Sequence, residues 1–269
     1  MARLNGVEPD CDFINAELAT LDTQLASEAA VTKGSFWEIF TGPRMSYRTL
    51  LGMALMAGQQ LTGANFFFYF GTTIFANTGI SNGFVVSLIL GGVNVGATIV
   101  ALFFIEKVGR RKALTYGALW QFVCFMVYSL TGSLTNPVTN HAAGSVLIVF
   151  TCLFICSFAA TWGPLVWVVV SELYPPQHRS KCAALATASN WLFNFAISFT
   201  TTFIVAQIKY WYGLVFACSS LGLACLVFFF VIEGKGRTLE EIDHMYVNHV
   251  SPRKSANWKA TGNAEMTEA

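Results

Sequence analysis

The chain has 269 residues, of which 54% are hydrophobic and only 12% charged, and its formal net charge is +1. A soluble domain carries about twice that charged fraction, so the composition excludes an ordinary water-soluble core, and the balanced charge gives no sign of a nucleic-acid partner. Phe contributes 24 residues, which suits a surface that faces lipid.

Residues 1–43 are polar and read as a cytoplasmic linker. Within them Phe13, Ile14, Leu18, Leu21 and Leu25 recur at near-helical spacing among acidic residues, which predicts an amphipathic helix over 10–30. The first 45 residues hold no apolar core segment, so no signal peptide is expected. Gly42-Pro43 breaks the chain before the first apolar run. Residues 44–232 then carry six runs, at 50–76, 83–105, 113–132, 145–170, 183–208 and 212–232. Each reaches the roughly 20 residues needed to cross a hydrocarbon core about 30 Å thick. None alternates apolar with polar residues as barrel strands do. Helices, which satisfy every backbone group within the segment, are therefore expected. Residues 233–269 form a cytoplasmic segment that ends, after Tyr246, in a polar tail whose composition reads as disordered.

Charge orients the runs. Arg44 and Arg48 precede the first; Lys107, Arg110, Arg111 and Lys112 separate the second and third; Arg179 and Lys181 separate the fourth and fifth; Lys235 and Arg237 follow the sixth. Of 16 Lys and Arg, only Lys209 falls on the opposite side. The positive-inside rule then places both termini in the cytoplasm with an even number of spans.

The runs carry no Asp, Glu, Lys or Arg until Glu172, at the end of the fourth. Their polar groups are amides, hydroxyls and indoles, which bind a neutral hydroxyl-rich solute without the cost of burying a charge. Gln59, Gln60 and Asn65 crowd the first run, where one straight helix would point Gln60 and Asn65 about 140° apart. Gly63 between them offers a break, and broken helices at the midplane mark transporter sites. Amides that merely glue helices together are the alternative. The second run holds Asn94 among Gly91, Gly92 and Gly96, glycines that allow close helix approach. In the fourth, Pro164 is expected to bend the helix and Trp167 lies away from the interfacial belt. In the fifth, Asn190 and Asn194 share a helix face. Cys152 and Cys156, one turn apart, read as small packing residues rather than a metal pair. No metal cluster, nucleophile-base set or phosphate loop is visible, so neither an enzyme nor a cofactor is expected.

The order of these motifs resembles the C-terminal half, six spans, of sugar porters in the major facilitator superfamily. Gln-Gln-x-x-Gly-x-Asn at Gln59 to Asn65 resembles the seventh span, Gly109-Arg110-Arg111 the loop after the eighth, Gly163-Pro164-x-x-Trp167 with Glu172 the tenth, and Ser189-Asn190-Trp191 the eleventh. Glu233-Gly234-Lys235-Gly236-Arg237-Thr238 resembles the ending motif. The resemblance runs over residues 1–246, and its phrasing is closest to fungal-type hexose transporters. Ile232 and Gly234 depart from the ending motif, Phe70 replaces the second Tyr of an aromatic pair, and the first six spans of the fold have no counterpart in this sequence.

The resemblance implies an all-α membrane bundle that moves a hexose-type sugar by alternating access, in the plasma membrane, beside an N-terminal six-helix half that would also supply any proton coupling. It implies that Gln59, Gln60, Asn65, Asn94, Trp167 and Asn190 contact the sugar, with Phe158, Trp191 and Asn194 lining the same cavity. It implies further that Glu106, Arg110, Arg111, Glu172 and Arg179 form a cytoplasmic gating network; the alternative is that these arginines only set topology. Two other readings are a membrane sugar sensor, which the short tail disfavours, and a truncated product inactive alone.

Overall fold

The computed structural model describes residues 17–20, 22–23, 37–76, 82–135, 137, 140–255 and 258. The amphipathic helix expected over 10–30 lies mostly outside them, although 17–20 are helical. Among the described residues the regular structure is helical, with no strand.

After a helical turn at Glu38–Thr41 come α1 (Met45–Leu61), α2 (Ala64–Ala76), α3 (Gly83–Val108), α4 (Arg110–Leu134), α5 (His141–Ala160), α6 (Trp162–Leu173), α7 (Arg179–Ile208), α8 (Tyr212–Phe230) and α9 (Leu239–Val247). All six apolar runs lie in these helices. Among the described residues four stretches are long and apolar enough to cross a bilayer, namely Gly83–Phe103, Arg110–Leu134, His141–Leu173 and Arg179–Phe230. The last folds back at the tight turn Lys209–Trp211 and so comprises α7 and α8. The first run is divided between α1 and α2.

Local chemistry explains the boundaries. Asn82 caps α3 by accepting from Phe84 N at 3.0 Å, and Asn140 caps α5 through the amides of Ala142 and Ala143. Thr238 and Glu241 close a reciprocal capping box on α9. The break between α1 and α2 belongs to Gly63, whose φ of +85° is a left-handed conformation costly for residues with a Cβ. Space is also short there: a Cβ on Gly63 would lie 2.6 Å from the Phe216 ring and 2.7 Å from the Phe125 ring.

The fourth run breaks as well, but not where the proline suggested. The interruption is at Thr161 (φ −131°, ψ −83°), and Pro164 is the third residue of the new helix α6. There its missing N–H leaves no intrahelical bond unmade.

Packing follows two long pairs. α4 runs antiparallel to α8, with Arg111 at one end donating to Phe228 O and Gly132 at the other seated against Tyr210. α1 packs along α7, while α5 lies between α4 and α3. One core cluster gathers Leu55, Trp162, Val166, Tyr174 and Val227. The second is aromatic: Phe67 stacks on Phe125 at 4.9 Å between ring centroids, and Phe125 meets Phe154 at 4.7 Å and Phe216 at 5.4 Å. Large apolar side chains such as Phe84, Phe103, Phe195 and Phe199 remain on the outside, an exterior suited to lipid. The close approach expected at Gly91, Gly92 and Gly96 is not made, since a Cβ on any of them would meet nothing within 4 Å.

Gly63→Ala combines a strained backbone with an overfilled aromatic core, so we expect a loss of about 2–4 kcal/mol. Thermal unfolding in detergent micelles measures it. A melting temperature equal to that of Gly91→Ala, which meets open space, would refute this account of the break.

Candidate functional site

The breaks bring polar side chains together. Gln59, one turn before the α1–α2 break, donates from Nε2 to Trp162 O at 2.8 Å and Gly163 O at 2.9 Å, the first carbonyls after the α5–α6 break. Thr62 Oγ1 donates to Gln59 O at 2.6 Å and closes the end of α1. Asn190 on α7 donates from Nδ2 to Gln59 Oε1 and to Met56 O, both at 2.9 Å. Its Oδ1 accepts from Gln60 Nε2 at 2.8 Å. Gln60 Oε1 in turn accepts from Asn65 Nδ2 at 2.6 Å and Asn194 Nδ2 at 3.3 Å. Because the chain turns at Gly63, Asn65 points back at Gln60 instead of away from it.

Exposure divides this network. Gln59 and Asn190 are 6% and 4% exposed, and their polar atoms are engaged within the chain. Gln60, Asn65 and Asn194 are only partly buried. Among the described residues Gln60 has a further N–H without an acceptor, and the carbonyl oxygens of Asn65 and Asn194 accept no hydrogen bond. This edge can hydrogen-bond a neutral solute while the buried pair holds it in place.

The remaining sequence-predicted contacts stand apart from the network. Asn94 is partly buried on α3, and no hydrogen bond joins its side chain to the other amides. Trp167 and Trp191 present exposed rings. Phe158 packs against both cores and stacks on Phe154 at 6.5 Å.

Of the expected charge network, Arg110 pairs with Glu172 at 3.2 Å, each side chain about one-fifth exposed. A pair that open is worth about 0–1 kcal/mol. Arg111 instead donates to Phe228 O at 2.6 Å and lies 4.8 Å over the Phe228 ring. Arg179 Nε and Nη2 are buried without a hydrogen-bond partner. The side chain of Glu106 lies outside the described residues.

Sequence reasoning missed the residues that tie down this end. Glu233 Oε1 accepts from Arg110 N at 2.8 Å and from Lys235 N at 3.3 Å, and Glu233 N donates to Ser255 Oγ at 3.0 Å. Gly109 (φ +94°) makes room, since a Cβ there would come within 2.8 Å of Glu233 Oε2. Arg48, whose side chain is 2% exposed, meets Asp243 at 2.6 Å, donates to Leu173 O at 2.7 Å and lies 4.9 Å over the Tyr246 ring. Burial holds the Tyr246 phenol above its ordinary range, so it stays neutral beside the guanidinium. The available signal was the helix-start pattern Thr238 to Glu241, which places Asp243 and Tyr246 on one helix.

Broken helices that meet at a polar cluster inside an apolar bundle are a feature of many transporter folds. The chain belongs to the sugar transporter family: the family model described as "Sugar (and other) transporter" matches residues 1–246. It is 47% identical over 256 residues to the high-affinity fructose transporter ght6 of Schizosaccharomyces pombe, an alignment covering 94% of this chain and 48% of that protein. It is 41% identical to the low-affinity glucose transporter HXT3 of Saccharomyces cerevisiae, covering 97% of this chain and 47% of that one. Among solved structures, the proton:xylose symporter XylE of the major facilitator superfamily, bound to 6-bromo-6-deoxy-D-glucose, superposes with a TM-score of 0.67 at 26% identity. That match covers 84% of this chain and 49% of the symporter. The family is one of transporters rather than enzymes, and the chain spans about half the length of the curated relatives it matches.

Asn190→Ala strands Gln59 Oε1 and Gln60 Nε2, and an unmet buried polar group costs about 1–3 kcal/mol. Asn194→Ala removes a single long bond at the partly exposed edge and should cost about 0.5 kcal/mol. Unfolding of the two variants in the same detergent compares them, and equal losses would show that the network is not graded by burial.

Proposed function

We propose that this chain supplies the C-terminal half of a hexose-type sugar transporter that works by alternating access. The observation that carries the proposal is the amide network at two facing helix breaks, in spans without charge. A sugar offers neutral hydroxyls that both donate and accept, which suits an edge holding one spare N–H and two spare carbonyl oxygens. Gln60, Asn65 and Asn194 would meet the sugar directly, held by Gln59 and Asn190. Asn94, Trp167, Trp191 and Phe158 would line the same cavity as it closes. The names of the relatives, transporters of fructose and glucose, support the substrate class.

In this reading six helical spans cross the plasma membrane with both termini cytoplasmic. A second six-helix half faces the amide edge and brings whatever carboxylate couples transport to protons, since these spans hold none of their own before Glu172. The cytoplasmic contacts of Arg110, Arg111, Glu172, Arg179 and Glu106 bias the two closed states against each other, which takes only a few kcal/mol. Orientation is tested with Asn140→Cys in intact cells. An impermeant thiol reagent should label it from outside, and labelling only after permeabilisation reverses the topology.

Transport is tested by uptake of labelled glucose into liposomes. We expect no saturable uptake with this chain alone, because alternating access needs two bundles that close over the solute in turn. Reconstitution with the portion of the fructose transporter that this chain does not cover should restore it. Gln60→Ala should then weaken apparent affinity several-fold to tenfold, as the loss of a hydrogen bond worth about 0.5–1.5 kcal/mol requires. Saturable uptake by the lone chain would show that one half suffices. Unchanged affinity in both Gln60→Ala and Asn65→Ala would displace the sugar from this edge.

A further inference from the structure

The outer side of the α4–α8 pair carries a groove apart from the amide network, with the core residue Ala224 among its lining. It has a volume of about 390 Å³, and Thr115, Tyr116 and Leu119 of α4 and Leu221, Cys225 and Phe228 of α8 line its walls. These residues turn away from the bundle: Leu114, Ala118, Leu223 and Val227 of the same helices face the core, and Leu223 sits against Gly58 of α1. A second bundle seated on the amide edge would leave this side open.

The groove is apolar along its walls and cationic at one end. Arg111 and Lys112 line that end in the first turn of α4, which holds no acidic residue. Among the described residues neither makes a salt bridge, and Arg111 donates from Nη2 to Phe228 O while its Nε is buried without a hydrogen-bond partner. Arg253 adds a third cation, 4.7 Å over the Phe229 ring and 5.5 Å over that of Phe228. The nearby carboxylate, Glu233, already accepts from the amides of Arg110 and Lys235. Two cations placed at the positive end of a helix dipole repel it unless an anion joins them. An apolar trough ending in basic groups that, among the described residues, form no salt bridge matches one kind of molecule in a bilayer, an acyl chain with an anionic headgroup.

We propose that this groove binds an anionic phospholipid of the leaflet at the Arg110 end of α4, its acyl chain between Tyr116 and Cys225 and its phosphate and carboxylate on Arg111, Lys112 and Arg253. The proposal rests on the reading of α4 and α8 as membrane spans. Its occupant holds α4 against α8 from outside, beside the turn where Gly109, Arg110 and Glu233 meet.

Native mass spectrometry of the full chain, released from micelles containing equal phosphatidylserine and phosphatidylcholine, tests it. The wild type should retain phosphatidylserine in preference. In Lys112→Ala/Arg253→Ala that preference should fall about tenfold or more, since each basic group near a headgroup contributes about fivefold. Cys225→Trp, which fills the groove at an exposed position, should lower retention of both lipids. Soluble glycerophosphoserine should not compete. Competition by it, equal retention of the two lipids, or an undiminished preference in the charge variant would each overturn the site. Resistance to alkaline carbonate extraction, measured on the same preparations, separates the two readings. Extraction of the wild type would remove the membrane reading itself, whereas retention in the bilayer without lipid preference would remove only the groove.

Discussion

A polar group buried inside a lipid-facing bundle is costly unless it is paired, and the helix breaks stand where Gln59 and Asn190 find their partners, although Gln121 on α4 is buried without one. Gln59 and Asn190 would each cost several kcal/mol if buried unpaired. They are instead paired with one another and with the carbonyls of Met56, Trp162 and Gly163. The Trp162 and Gly163 carbonyls lie just after the interruption at Thr161, and Asn65 joins because α1 is interrupted at Gly63. The aromatic cluster beneath Gly63 and the indole of Trp162, bonded to Leu114 O at 2.9 Å, then fix both interruptions against α4. Polar satisfaction and aromatic packing thus constrain the same few residues from opposite sides.

The other end of the bundle solves a different problem with charge. There the chain emerges after α8, turns through Glu233 and returns as α9. Arg48 is buried as a cation because Asp243, Leu173 O and the Tyr246 ring share it. A buried guanidinium of this kind gives little net stability, but it fixes where α9 sits beneath α1 and α6. Arg110 and Glu233 do the same for the turn between α3 and α4.

Much of this was legible in the sequence. The six apolar runs all proved helical, and the Gly63 break followed from three amides too far apart in angle for one straight helix. The Thr161 break was misplaced to Pro164 because proline is the visible helix breaker, although it is well tolerated in a first turn. The glycines around Asn94 suggested a tight helix contact that this chain does not make. The family resemblance also implied one common role for all the amides. Burial separates a saturated inner pair from an outer edge with open valences, a distinction that depends on partners more than 100 residues away. The contacts of Asp243 with Arg48 and of Glu233 with the Arg110 amide stayed hidden for the same reason, since each joins residues more than 100 positions apart.

The side chain of Gln59 has a mechanical consequence. It leaves α1 just ahead of one interruption and grips the backbone just behind another, so the two flexible points of the bundle share a pin. Swinging α6 about Thr161 pulls on the end of α1 through two hydrogen bonds, and tilting α2 about Gly63 reaches the same cluster through Asn65 and Gln60. The bundle therefore resembles a linkage with one crank more than a set of independent hinges, and a solute resting on Gln60 lies directly beside its axle.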